Sequence, residues 1–125
     1  MYSYKVLQEL MGKTLCYVER KGDEEILFVV SQDEKYKMYH EQDCCESVTI
    51  EDICGELEWL TGSPILRAEI RHEDGECGDD YDNTYTWTFF ELATLKGAVT
   101  IRWYGTSNGY YSESAHFKRI EKDDE

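Results

Sequence analysis

Two short stretches decide the fold, LQELMGKTL (residues 7–15) and LEWLTGSPI (residues 57–65). Their apolar residues and their glycine recur at a constant offset of 50. In each stretch the spacing predicts a short helix that ends at the glycine, followed by entry into a strand. Similarity at one fixed offset indicates an internal duplication. Chance resemblance is the alternative, because both stretches are short.

The sequence downstream of each stretch continues the match. Alternating apolar and charged residues, rich in β-branched and aromatic side chains, predict strands in both halves. These strands cover residues 15–19, 25–30 and 35–40 in the first half, and 66–71, 84–92 and 98–104 in the second. Each half then closes on a similar fourth strand, ESVTIEDI (residues 46–53) or ESAHFKRI (residues 113–120).

The predicted fold class is therefore α+β. We expect a mostly antiparallel β-sheet with two short helices, in two sequence-similar halves of one helix and four strands each. The chain, 1–125, is predicted to be a single domain with halves at about 5–54 and 55–121 and an acidic tail at 121–125. Hairpin-length connections favour antiparallel pairing, but they leave a sandwich and one strongly curved sheet as alternatives.

Composition narrows the cellular setting. The chain has 125 residues, which is enough for a core without disulfides or metals. Five cysteines, an odd number, make a poor disulfide framework and favour reduced thiols. No apolar run has the length of a membrane span, and no charged-plus-apolar leader opens the sequence. We expect a cytoplasmic protein of the host cell, with no membrane partner and no cofactor.

Negative charge is concentrated in the middle of the chain. The formal net charge is −14, and residues 41–95 hold fifteen acidic residues against two arginines, a net of −13. Direct nucleic-acid binding is disfavoured, because phosphate contacts need clustered lysine and arginine. A solvated face, a surface that imitates nucleic acid, or a basic partner would each explain the charge.

The loop EDGECGDDYDN (residues 73–83) is the densest acidic segment. Its spacing does not fit an EF-hand, so a solvated loop or a contact with a basic partner is favoured over calcium. The predicted partner-binding residues are Glu73, Asp74, Glu76, Asp79, Asp80 and Asp82, with Glu56 and Glu58 in support.

A second candidate site combines two loops that occupy equivalent places in the two halves. The loop at residues 103–114 offers hydroxyls, an amide and tyrosines that could hold a phosphate or stack a base. The alternative is a turn in which glycine and asparagine supply positive φ angles. The predicted ligand pocket comprises Tyr39, His40, Arg102, Tyr104, Asn108, Tyr110 and Tyr111.

The loop at residues 38–47 is a candidate for zinc or thiol chemistry. The candidates for metal ligands are His40, Asp43, Cys44 and Cys45, with Cys54 or Cys77 needed to complete a zinc site. Adjacent cysteines rarely bind one ion, so a buried cysteine and a strand histidine are favoured. Cys44 with His40 or His116 could form a nucleophile pair, but nearby carboxylates oppose thiolate formation.

The runs YHEQDCCESV, IEDI, GSPIL and YTWTFFELATLKGAVTIRWYGTSNGYYSES are long and unusual in composition. Between about residues 35 and 115 the chain resembles a family of small uncharacterised phage and prophage proteins. The resemblance implies a viral accessory protein and no particular reaction.

The favoured hypothesis is a non-enzymatic phage protein that inhibits a host defence component through its acidic surface. It would act as anti-CRISPR proteins do, with nucleic-acid mimicry against a nuclease with a basic surface as one mode of action. Alternatives are a sponge for a nucleotide immune signal, often built as a homo-oligomer, a metal- or thiol-dependent enzyme, and a structural or host-takeover interaction module.

Overall fold

The computed structural model describes residues 2–40, 46–76, 84–107 and 114–120. In those ranges, one α-helix, α1 (Tyr2–Gln8), opens the chain, and a 3-10 turn (Leu57–Leu60) lies near its middle. The strands in the same ranges are β1 (Tyr17–Lys21), β2 (Glu25–Ser31), β3 (Glu34–Tyr39), β4 (Glu46–Cys54), β5 (Arg67–Glu76), β6 (Thr84–Thr94), β7 (Gly97–Ser107) and β8 (His116–Ile120).

The prediction of an α+β fold is wrong. The described chain is mostly antiparallel β, with one helix of seven residues and one four-residue 3-10 turn. The second predicted helix does not form because Gly55 and Gly62, both at positive φ, leave too few residues between them for α-helical turns. Sequence periodicity located this segment but gave it the wrong conformation.

The strands form two four-stranded sheets, and each sheet borrows one strand from the other half of the chain. Sheet 1 has the order β1-β2-β3-β8, and sheet 2 has the order β4-β7-β6-β5. All neighbouring strands are antiparallel. The last strand of each half therefore completes the sheet of the other half, so the halves are interlocked rather than adjacent.

The segments that precede the sheets contact each other reciprocally. Parallel bridges join Met11 to Ile65 and Leu15 to Thr61, and hydrogen bonds run from Gly12 N to Ile65 O (2.8 Å) and from Gly62 N to Leu15 O (2.9 Å). The offset of 50 converts one contact of each pair into the other: Met11 corresponds to Thr61, and Ile65 corresponds to Leu15. A pseudo-two-fold axis produces this reciprocity, and the strand order has the same symmetry. An evolutionary duplication remains a prediction.

The inward faces of both sheets share one hydrophobic core. Its largest fully buried side chains include Trp103 and Phe90 from sheet 2, and Phe28, Tyr36 and Phe117 from sheet 1. The ring of Phe117 lies 5.6 Å from those of both Phe28 and Tyr36. Since one face of each sheet is committed to this core, the opposite faces point away from each other.

A polar cluster at the edge of the core fixes the start of β3. The hydroxyl of Tyr36 donates to Glu34 Oε2 at 2.7 Å, and the ammonium group of Lys13 pairs with the same carboxylate. The hydrogen bond from Lys13, then that from Tyr36, lowers the pKa of Glu34. Burial, followed by the Glu34 hydrogen bond, raises the pKa of Tyr36.

We expect Glu34→Gln to lower the free energy of unfolding by about 1 kcal/mol at pH 7, because charge-assisted bonds to a partly exposed carboxylate are lost. The folded-state pKa of Glu34 lies below its ordinary value, so its stabilisation is present above that value and is lost as pH falls through the folded pKa. The free energies of unfolding of the two proteins, measured with urea, should therefore converge as pH falls below the folded-state pKa of Glu34. A difference that stays constant with pH would contradict this account.

Two threonines in β6 are buried, and replacing them should change the free energy of unfolding in opposite directions. The hydroxyl of Thr88 is buried with no hydrogen-bond partner in the described part of the chain. The hydroxyl of Thr94 donates to the carbonyl of Trp59 and accepts the Lys96 N–H at 3.1 Å. We expect Thr88→Val to raise the free energy of unfolding by about 1 kcal/mol and Thr94→Val to lower it by a similar amount. If Thr88→Val destabilises, its hydroxyl is satisfied in the native protein.

Candidate functional site

Strand β6 carries aromatic side chains on both of its faces. Phe90 and Leu92 enter the core, whereas Tyr85, Trp87 and Phe89 alternate with them and point outward. The face of sheet 2 that is turned away from the core is here called the outer face of sheet 2. A row of three aromatic residues on such a face is unusual for a solvated sheet, because outward positions normally carry polar residues.

Strand β7 widens this row into an aromatic surface. In the register of β6 and β7, Tyr104 lies opposite Trp87, and Arg102 lies opposite Phe89. The ring centroids of Trp87 and Tyr104 are 4.7 Å apart, with planes inclined at 56°. Tyr85 stacks on Tyr104 at 6.2 Å, and Trp87 stacks on Phe89 at 6.0 Å. The contacts hold the rings as one connected set.

Two arginines lie on the same surface, and each combines an aromatic ring with a carboxylate. The guanidinium of Arg71 is 4.5 Å from the Phe89 ring centroid and 3.8 Å from Glu91. Arg102 lies 5.5 Å from the Trp87 centroid and forms a two-pronged ion pair with Asp52.

Electrostatics keep this second pair ionised. The hydrogen bonds from Arg102 lower the pKa of the Asp52 carboxyl. In return, hydrogen bonding to Asp52 raises the pKa of Arg102, and the charge of Glu51 acts in the same direction as the last of the causes. The outer face of sheet 2 therefore carries neutralised arginines beside its aromatic rings.

An open groove of about 380 Å³ lies in this surface. Its lining consists of Tyr85, Trp87 and Tyr104, with the carboxylate of Glu51 at one side. Three aromatic walls and one anion form an environment that suits a cation, because the faces of aromatic rings carry negative electrostatic potential. We refer to these four residues as the aromatic groove.

A β-bulge places Glu51 beside the rings. The register of β4 against β7 shifts between Ile50 and Asp52, so Glu51 is the additional residue in β4. Bulges re-aim side chains in this way. The backbone N–H of Ile50 donates to the carbonyl of Asp23 at 2.7 Å, in the turn that joins β1 and β2. The first hairpin of the chain thus supports the bulge.

The structure divides the predicted acidic surface. Glu73 lies on β5 opposite Trp87, and Asp74 follows it with an exposed side chain. Glu56 precedes the 3-10 turn and Glu58 lies within it, beside the β6–β7 hairpin and roughly 20 Å away along the strand direction. Residues 73–76, with Glu76 at their end, belong to β5 and not to the predicted loop. The remaining predicted residues, Asp79, Asp80 and Asp82, lie outside the described residues.

The predicted ligand pocket is not assembled from the residues that the structure describes. Tyr39 is on the outward side of sheet 1, and His40 is buried next to it. Arg102 and Tyr104 are on the outer face of sheet 2, on the far side of the core. Asn108, Tyr110 and Tyr111 lie outside the described residues.

His40 packs against the segment that leads into β8. Its Nδ1 lies 3.0 Å from the carbonyl oxygen of Ser114, and its ring stacks on that of His116 at 5.9 Å. Within the described ranges, no group of three or more histidine, cysteine, aspartate or glutamate side chains could hold a metal ion. The other candidate ligands, Asp43, Cys44 and Cys45, are outside those ranges.

Sequence reasoning missed Glu51, Tyr85 and Trp87. The signal for the two aromatic residues was present: TYTWTFFEL has large apolar side chains on both faces of one strand, and one core can cover only one of them. The position of Glu51 depends on a bulge, which period-2 alternation does not reveal.

The fold and the groove together define a mostly antiparallel β, two-sheet protein with an aromatic groove on the outer face of sheet 2. The chain belongs to the family described as Domain of unknown function (DUF7448), which it matches over residues 8–117. No curated protein and no solved structure matches it. In the described part of the chain, no helix is both long enough and apolar enough to span a membrane.

Proposed function

We propose that this protein is a non-enzymatic binding protein that docks a basic partner protein on the outer face of sheet 2. The observation that carries the proposal is the aromatic groove, three of whose four lining residues lie in the acidic stretch at residues 41–95. Tryptophan and tyrosine dominate the energetics of protein interfaces because they bury large areas at low entropic cost.

The surrounding charges supply the specificity. Glu51 and Glu73 flank the rings, while Arg71 and Arg102 are already neutralised by Glu91 and Asp52. A partner that meets this face therefore meets unpaired carboxylates around an apolar centre. Such a face accelerates association with a cationic surface and disfavours an anionic one.

The narrower proposal is an inhibitor of host defence. The resemblance to phage proteins supports it, and nucleases of defence systems carry basic grooves that an acidic protein can occupy. In this proposal the protein acts in the host cytoplasm and competes with nucleic acid for its target.

Binding should be measured between the purified chain and a panel of purified defence nucleases, Cas9-type effectors among them, at rising salt. We expect affinity for at least one nuclease to fall steeply between about 50 and 200 mM salt, because long-range charge attraction is screened. Excess guide RNA or target DNA should displace the protein. Salt-insensitive binding, or no binding to any nuclease in the panel, would contradict the narrower proposal.

A further inference from the structure

We infer that the aromatic groove binds the guanidinium group of one arginine side chain presented by the partner. This inference rests on the proposed function, since it names the chemical group that the binding face recognises. The occupant would lie against the rings of Tyr85, Trp87 and Tyr104, with its charge facing Glu51.

The protein's own arginines show the preferred arrangement on this surface. Arg71 lies on the ring of Phe89 and reaches Glu91, and Arg102 lies near the ring of Trp87 and pairs with Asp52. Each is a guanidinium held between an aromatic face and a carboxylate. The outer face of sheet 2 thus uses the same combination twice within one chain.

The aromatic groove presents a third such combination. Glu51 is exposed and forms no ion pair or side-chain hydrogen bond with other described residues, although it lies beside the rings. The planes of Trp87 and Tyr104 are inclined at 56°, so the two rings present differently oriented surfaces to the groove. A volume of about 380 Å³ is at the lower end of the range of small-ligand sites, and suits one side chain.

Arginine suits this groove better than lysine. Its guanidinium is flat, stacks on aromatic rings and is weakly hydrated, so it loses less solvation on entering an aromatic site. It can also form two parallel hydrogen bonds to one carboxylate, whereas an ammonium group acts as a point charge. The site should therefore discriminate between the two cations, and should reject an anion.

The test uses the full chain labelled with ¹⁵N and three capped tripeptides, Ac-Gly-Arg-Gly-NH₂ and its lysine and glutamate counterparts. The chain has three tryptophans, so the indole region contains three assignable signals. We expect the arginine peptide to shift the Trp87 indole signal at millimolar concentration and to leave that of buried Trp103 in place. The lysine peptide should bind more weakly, and the glutamate peptide should give no shift.

Two variants on the same face make the test specific. Glu51→Gln should weaken binding of the arginine peptide about fivefold to tenfold, because the carboxylate is lost and the rings remain. Glu69→Gln is the matched control and should leave it unchanged, since that carboxylate lies 2.9 Å from Arg67 and outside the groove. Because Glu51 is exposed, its replacement should not perturb folding.

The outcomes separate this inference from the proposed function. No shift with the arginine peptide, an equal shift with the glutamate peptide, or an unchanged affinity in Glu51→Gln would overturn the inference. The proposed function would still stand if a nuclease bound in a salt-dependent manner. Conversely, selective binding of the arginine peptide without binding to any nuclease would support the arginine site and contradict the proposal of a defence inhibitor.

Discussion

Phe117→Ala should lower the free energy of unfolding by about 3–5 kcal/mol, the range for deleting a buried aromatic ring. Phe117 is fully buried in β8, and its ring contacts those of Phe28 and Tyr36 across sheet 1. Since β8 is the strand that the second half contributes to sheet 1, the substitution also weakens the interlock between the halves. Urea-induced unfolding followed by circular dichroism measures the change.

The neighbouring residue provides the control. Lys118 follows Phe117 in β8 but points outward, over the ring of Tyr39 at 5.5 Å. Lys118→Ala should change the free energy of unfolding by less than about 1 kcal/mol, since exposed cation–π contacts are weak. If both variants had equal effects, β8 would not be anchored in the core as described.

Gly55→Ala should lower the free energy of unfolding by about 2–3 kcal/mol, through backbone strain and overpacking together. Gly55 has a φ of 103°, and a Cβ there would lie 2.8 Å from the carbonyl oxygen of Ala98 and 3.2 Å from the Trp59 ring. The carbonyl belongs to a hydrogen-bonded strand and cannot move aside easily. Thermal or urea unfolding at neutral pH measures the loss.

Gly12→Ala separates the two contributions. Gly12 has a φ of 81°, but a Cβ there would meet nothing within 4 Å. Strain alone should cost about 1–2 kcal/mol. A loss in Gly12→Ala as large as that in Gly55→Ala would show that packing of the 3-10 turn against the β6–β7 hairpin contributes little.

Strands were the part of the fold that the sequence predicted best. The predicted strand at residues 25–30 corresponds to β2, and that at 84–92 lies within β6, because period-2 alternation is strong in both. The ends were less accurate: β5 extends into the predicted acidic loop, and β7 extends to Ser107. The backbone of a polar residue pairs with a neighbouring strand as well as that of an apolar residue, so composition does not show where a strand ends.

The exchange of strands between the sheets could not be predicted from the pattern. ESVTIEDI and ESAHFKRI have equivalent apolar positions, and either strand would match either sheet by alternation alone. Pairing partners far apart in sequence depend on tertiary contacts, such as the hydrogen bond from Ile50 to Asp23. The fold class was wrong for a similar reason, since local periodicity cannot distinguish a short helix from a 3-10 turn.

The candidate site was predicted only in part. The charge count located the acidic stretch at residues 41–95, but it treated every carboxylate there as available, whereas the structure pairs Asp52 with Arg102 and Glu91 with Arg67 and Arg71. The register between strands decides which carboxylates are paired with arginines and which remain available to a partner. That register could not be predicted from the sequence.

The most direct test of the binding face compares two surface variants in the same assay. Trp87→Ser removes the centre of the aromatic groove, and Tyr17→Ser removes an exposed aromatic side chain from the outward side of sheet 1. For the nuclease that binds the unmodified protein, calorimetry should show at least about a 30-fold loss of affinity in Trp87→Ser, as for an interface hot spot, and a change below about twofold in Tyr17→Ser. Full affinity in a folded Trp87→Ser variant would contradict the assignment of the outer face of sheet 2 as the binding surface.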